Sequence, residues 1–206
     1  MAKRKRPRTE VFLNIPYDKK FERLFLAYIA GISAFGMVPR ATLEIPDSSR
    51  RLDKILKLIG NCRYSVHDLS RVELDRRKPS TPRFNMPFEL GLAVASQKHR
   101  GKAEADWYVF ESTNYRLEKS LSDLNGTDPK IHDGRVEGVL GELCHVFRRK
   151  GRQPSVQQMR KIYREIRKAQ PVILKKAGAA TPYKARVFQD ICVAASAWAD
   201  RVVAER

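Results

Sequence analysis

Glu89 is the residue of this sequence best placed to do chemistry. It stands in the run Asn85-Met86-Pro87-Phe88-Glu89-Leu90-Gly91, where Asn85 reads as a helix cap and Pro87 falls in a first turn that has no use for its missing N–H. A carboxylate in that turn faces unpaired N–H groups and the positive end of the helix dipole, so it is expected to stay ionised and nucleophilic at neutral pH. Gly91, two positions on, lets another chain segment come close. Asp68 ends an apolar run over 64–69 that reads as a strand. It offers a second carboxylate, either to donate a proton or to accept from a hydroxyl group. Both residues also have plainer readings: a glutamate there complements the dipole, and a strand-end aspartate caps a turn.

Other polar groups should meet these two. Asn14 and Tyr17 follow the first apolar run, Ser70 follows Asp68, and Arg83 and Asn85 precede Glu89. These five are the expected lining of a pocket. Arg71, Arg76, Arg77, Lys78 and Arg83 could grip a pyrophosphate or simply keep a loop solvated. His67 reads as a packed strand residue rather than a base. No glycine-rich phosphate loop and no local Ser-His-Asp signature occurs.

The elements that must position these residues alternate. Strands are expected over 11–13, 37–44, 64–69 and 107–110, with Pro39 marking the second as an edge strand. Between them run helical patterns: Phe21, Leu24, Phe25, Tyr28, Ile29 and Ile32 after Asp18; Leu52, Ile55, Leu56 and Ile59 after Asp47-Ser48-Ser49; then 86–98 and 136–149. Such alternation predicts an α/β fold, a mostly parallel sheet with helices on both faces. In that architecture ligands bind beyond the carboxyl ends of the strands, where Asn14, Asp68 and the Glu89 helix should converge. After residue 151 the alternation stops, and 154–169 and 182–204 read as two amphipathic helices.

Charge divides the chain the same way. The total is 41 Lys and Arg against 23 Asp and Glu, a net +18. Residues 1–8 hold five basic and no acidic groups, and 148–206 hold fifteen basic against four acidic, leaving the middle nearly neutral. The expected organisation is a basic flexible tail (1–8), an α/β domain (9–150) and a basic two-helix extension (151–206). The basic ends could attract nucleic acid or an acidic protein surface, or could be merely solvated. No stretch of about 18 apolar residues occurs, so no membrane span is expected. The basic start is not followed by an apolar segment, which argues against a secretory signal. Cys62, Cys144 and Cys192 lie far apart, which argues against a disulfide framework or a zinc site and predicts a cytoplasmic protein.

The segment from Phe84 to Ala93, preceded by a strand ending in His67-Asp68, resembles the Glu-Leu-Gly-x-Ala segment of nucleoside 2-deoxyribosyltransferase-like proteins. With the leading Phe12-Leu13-Asn14 it also resembles bacterial Toll/interleukin-1 receptor (TIR)-like domains. It departs from both: Met86-Pro87-Phe88 replaces the Trp-Cys-x-x phrase before the glutamate, and the Gly-Thr pair of the transferases is missing. The resemblance implies a flavodoxin-like three-layer sandwich and cleavage of an N-glycosidic bond by Glu89. It further implies NAD as substrate rather than cofactor, no metal, and a role as a bacterial immune effector, switched by homo-oligomerisation or by a defence-system partner docking on 151–206. Breaking a ribose C1′–N bond builds positive charge that a carboxylate stabilises or captures. Nicotinamide leaves NAD as a neutral base without a proton, whereas a neutral nucleoside needs a second acid, for which Asp68 is the candidate. The alternatives are a nucleoside or nucleotide hydrolase or deoxyribosyltransferase, and a non-catalytic nucleotide-sensing or nucleic-acid-docking module.

Overall fold

The computed structural model describes residues 8–46, 50–72, 78, 81–148 and 152–204. The expected cap at Asp47-Ser48-Ser49 and most of the basic tail lie outside the described residues. Five strands, β1 (Glu10–Asn14), β2 (Val38–Ala41), β3 (Tyr64–Asp68), β4 (Asp106–Glu111) and β5 (Lys130–Ile131), form one sheet in the order β2-β1-β3-β4-β5. Every neighbouring pair is parallel. This is a flavodoxin-like α/β fold. Pro39 sits in β2 at the sheet edge, where its lack of an N–H breaks no ladder. The two-residue β5 has too little apolar pattern to be read as a strand beforehand.

Helices α1 (Glu22–Ala34) and α5 (Val136–Val146) cover one face of the sheet; α2 (Arg51–Asn61) and α3 (Asn85–Arg100) cover the other. A short α4 (Arg116–Ser120) follows β4. The alternation of side chains along a strand decides what each face buries. On β1, Val11 and Leu13 join the core under α1, whereas Phe12 packs with Ile55, Leu58 and Ile59 of α2.

The last two helices, α6 (Val156–Ala177) and α7 (Ala185–Ala204), are a further layer on α1 rather than a detached appendage. Met159, Ile162, Ile166, Phe188, Ile191, Ala195 and Ala199 are fully or almost fully buried in the same core as Phe25 and Ile29. Helix α6 opens with a capping box in which Ser155 Oγ accepts from the Gln158 N–H. It runs through Pro171, an exposed residue, to a left-handed Gly178. No helix among the described residues is long and apolar enough to cross a membrane. All three cysteines are free thiols.

Candidate active site

The strand order reverses between β1 and β3, and the crevice for a ligand lies beyond their carboxyl ends. Asn14 and His67 are register partners there, and their side chains project towards α3. Asn14 Nδ2 donates to His67 Nδ1 (2.9 Å) and to the Met86 carbonyl (2.8 Å). Both amide hydrogens are thus committed, and the amide oxygen is left as an acceptor. Burial holds the His67 imidazole down at about 3, so it is neutral at working pH, with its proton on an Nε2 that has no partner among the described residues. This agrees with a structural role and makes His67 a prop for Asn14.

A cleft of about 670 Å³ opens over this pair, and Asn14, Tyr17, Thr42, Arg51, Arg83 and Glu89 are among its lining residues. Tyr17 is a wall: its ring packs edge-on to Phe25 at 6.2 Å, and its hydroxyl lies 3.4 Å from Thr42 Oγ1. Burial raises its phenol, which stays neutral. Arg51 was not singled out from sequence. Its Nη1 donates to the Ile45 carbonyl (2.8 Å) and its Nη2 to that of Thr42 (3.4 Å), which fixes a cation on the cleft wall. The rim is apolar: Leu52, Phe84 and Phe88 line it and are 45%, 66% and 53% exposed.

Glu89 is 9% exposed, and no hydrogen bond or ion pair to it occurs among the described residues. Helix α3 starts at Asn85, so Glu89 stands in the second turn, past the reach of the free N–H groups expected to hold it ionised. Burial pushes its carboxyl up to about 7, and the charge of Arg51 pulls the other way. Near neutrality it is therefore divided between acid and carboxylate, which corrects the expectation of full ionisation. Asn85 is the exposed first residue of α3, and Arg83 Nη1 lies 3.7 Å from Asp18 Oδ2 at the cleft mouth.

Asp68 and Ser70 do not join this site. Neighbours on a strand point to opposite faces, so with His67 aimed at α3, Asp68 is aimed at α1. It is fully buried: Oδ2 accepts from Tyr28 Oη (2.7 Å) and lies 3.0 Å from His132 Nε2, while Oδ1 accepts the Ser70 N–H (2.9 Å). His132 Nδ1 accepts the Gly134 N–H (3.0 Å), which puts the ring proton on Nε2, 3.0 Å from Ser70 Oγ. One nitrogen thus faces both the hydroxyl and the carboxylate, and this is no nucleophile–base–orienter relay. Gly138 seats α5 against this knot, since a Cβ there would fall 2.2 Å from the His132 carbonyl oxygen. The alternation of strand side chains was the signal that separates Asp68 from Glu89, given that Asn14 and His67 face α3. Arg76 and Arg77 lie outside the described residues. No cluster of His, Cys, Asp and Glu suited to a metal occurs among the described residues.

No family model matches the chain, and no curated protein or solved structure matches it.

Proposed function

We propose that the protein is an N-glycosidase whose substrate is NAD, with Glu89 as the residue that meets the anomeric carbon. The observation that carries this reading is a largely buried, unpartnered carboxylate in a cleft at the switch point of a parallel sheet, flanked by two arginines and an aromatic rim. Phe84 and Phe88 offer faces for a planar base, and Arg51 and Arg83 offer charge to phosphates. In the reaction the C1′–N bond breaks and its electron pair leaves with nicotinamide. Glu89 captures or stabilises the ribosyl cation, and water then adds its oxygen to C1′ and releases a proton. Asn14 Oδ1 is positioned to accept from a ribose hydroxyl.

The lining favours NAD over a neutral nucleoside. Among the described residues of the cleft Glu89 is the sole acid, since Asp68 faces the other way. Among these residues a leaving group that needs a proton finds no second acid, whereas nicotinamide needs none. The resemblance to TIR-like domains adds the place of action: a cytoplasmic bacterial defence effector whose activity is switched by assembly. The test is release of free nicotinamide from NAD by concentrated wild-type protein, followed by chromatography, with inosine and deoxyinosine as parallel substrates. Base release from the nucleosides with none from NAD would replace this reading with the nucleoside hydrolase.

A second reading rests on α6. Its exposed residues include Arg160, Lys161, Arg164, Arg167, Lys168 and Lys175, which at about 100° per residue share one side of the helix. Glu165 is the one acid on this helix. Such a stripe suits docking on a nucleic-acid backbone, and a steep salt dependence of binding to duplex DNA is its signature.

A further inference from the structure

The same sheet edge has a second cleft on its α1 side, about 290 Å³ in volume and separate in lining from the Glu89 cleft. Lys20 reaches it from the turn before α1 and Arg23 from the first turn of α1, Ser70 and Arg71 from just beyond β3, and Ser112 from just beyond β4. Among the described residues no acidic side chain lines it. Lys20 and Arg23 have no carboxylate partner among the described residues, so their charge is unneutralised. Arg71 is held in place, its Nε donating to Asp18 Oδ2 at 3.0 Å. Asp18 is itself fixed, its Oδ1 accepting the N–H groups of Lys20 (3.0 Å) and Phe21 (3.2 Å). The floor is polar: Ser70 is 8% exposed and its Oγ is 3.0 Å from the buried His132 Nε2.

We infer that this cleft binds a phosphate-class oxyanion, held by Lys20, Arg23 and Arg71, with Ser70 and Ser112 as hydroxyl partners. Three cations with two hydroxyls suit an anion with several acceptor oxygens better than a flat carboxylate. The volume admits inorganic phosphate or a small phosphomonoester, not a dinucleotide. The site is independent of the chemistry proposed for Glu89, and it lies on the other face of the sheet.

Calorimetric titration of the full chain with inorganic phosphate, at ionic strength matched with sodium chloride, tests it; glycerol 3-phosphate is the second arm. Saturable binding is expected, weakened at least tenfold by Lys20→Ala/Arg23→Ala and unchanged by Arg83→Ala or by Arg164→Ala/Arg167→Ala. Tighter binding of glycerol 3-phosphate would assign an organic phosphate, and equal or weaker binding would assign the free anion. Melting in chloride checks that the first variant folds, and Arg23→Ala alone serves if it does not. No saturable heat, equal affinity in the Lys20 and Arg23 variants, or loss on Arg83→Ala alone would overturn the site. Loss on the α6 variant equal to that on the cleft variant would reduce it to general attraction to a basic protein.

Discussion

Two carboxylates stand at the same edge of this sheet, on opposite faces, and they differ in what surrounds them. Asp68 is fully buried but partnered, its oxygens accepting from the Tyr28 hydroxyl and the Ser70 backbone N–H with His132 Nε2 3.0 Å away. Glu89 is nearly as buried and has no such partner, and its pKa rises to about 7. A buried acid whose two oxygens each accept a hydrogen bond stabilises a fold. A buried acid left unpaired beside open space is costly to the fold and available to a ligand. The difference between the two lies in partners and space rather than depth.

The sharpest way to break this contrast is to neutralise each acid in turn. Glu89→Gln should lower nicotinamide release by about a thousandfold or more, the scale on which loss of a nucleophile is felt, while the protein stays folded. Residual activity within tenfold of wild type would remove Glu89 from the chemistry. Asp68→Asn should do the reverse. It leaves a buried histidine and phenol facing a weakened acceptor, a loss of about 3 kcal/mol. For a chain of this length that lowers Tm by roughly 6–12 °C, with turnover per folded molecule unchanged within about threefold. A large fall in turnover at unchanged Tm would give Asp68 the catalytic role that its orientation denies it.

Next in size is the pH dependence. If the carboxylate is the active form, kcat/KM rises about tenfold per pH unit below 7 and levels off above a midpoint near 7. Arg51→Gln removes the charge that favours ionisation and moves that midpoint upward. Stability runs the opposite way. Below about 4.5 Glu89 is protonated in both the folded and the unfolded chain. Between 4.5 and about 7 the unfolded chain releases the proton that the folded one keeps, so stability falls as pH rises, by up to about 3 kcal/mol. Glu89→Gln should therefore gain Tm relative to wild type at pH 8 and not at pH 4. An equal difference at both pH values would contradict the raised pKa.

The smallest effect concerns Asp18, which holds Arg71 beside one cleft and Arg83 beside the other. These pairs are partly exposed and weak. Asp18→Asn should raise KM for NAD by a few-fold with kcat unchanged, read from initial rates.

Much of the frame was legible beforehand because its signals are local. Apolar residues three and four apart marked α1 and α2, and Pro39 placed β2 at an edge. The Glu89 segment stood out because Pro87 and the residues around it announce a helix start. Some expectations failed for physical reasons. Glu89 is expected in the first turn of α3, but Asn85 is the first helical residue rather than the cap, which moves Glu89 one position on, to the fifth residue and the second turn. Asp68 was paired with Glu89 because both end or follow β3, although neighbouring strand residues face apart.

What the sequence by itself determined is therefore the alternation of the first four strands with their helices, the two helices that follow and the charge of the ends. Each follows from residues within a few positions of one another. The tertiary structure alone decided the rest. It packed α6 and α7 onto α1, aimed Asp68 away from the cleft, and brought Asn14, Arg51 and Glu89 around one volume. A carboxylate's charge state depends on which solvent and which charges surround it, and those surroundings are supplied by segments far apart along the chain.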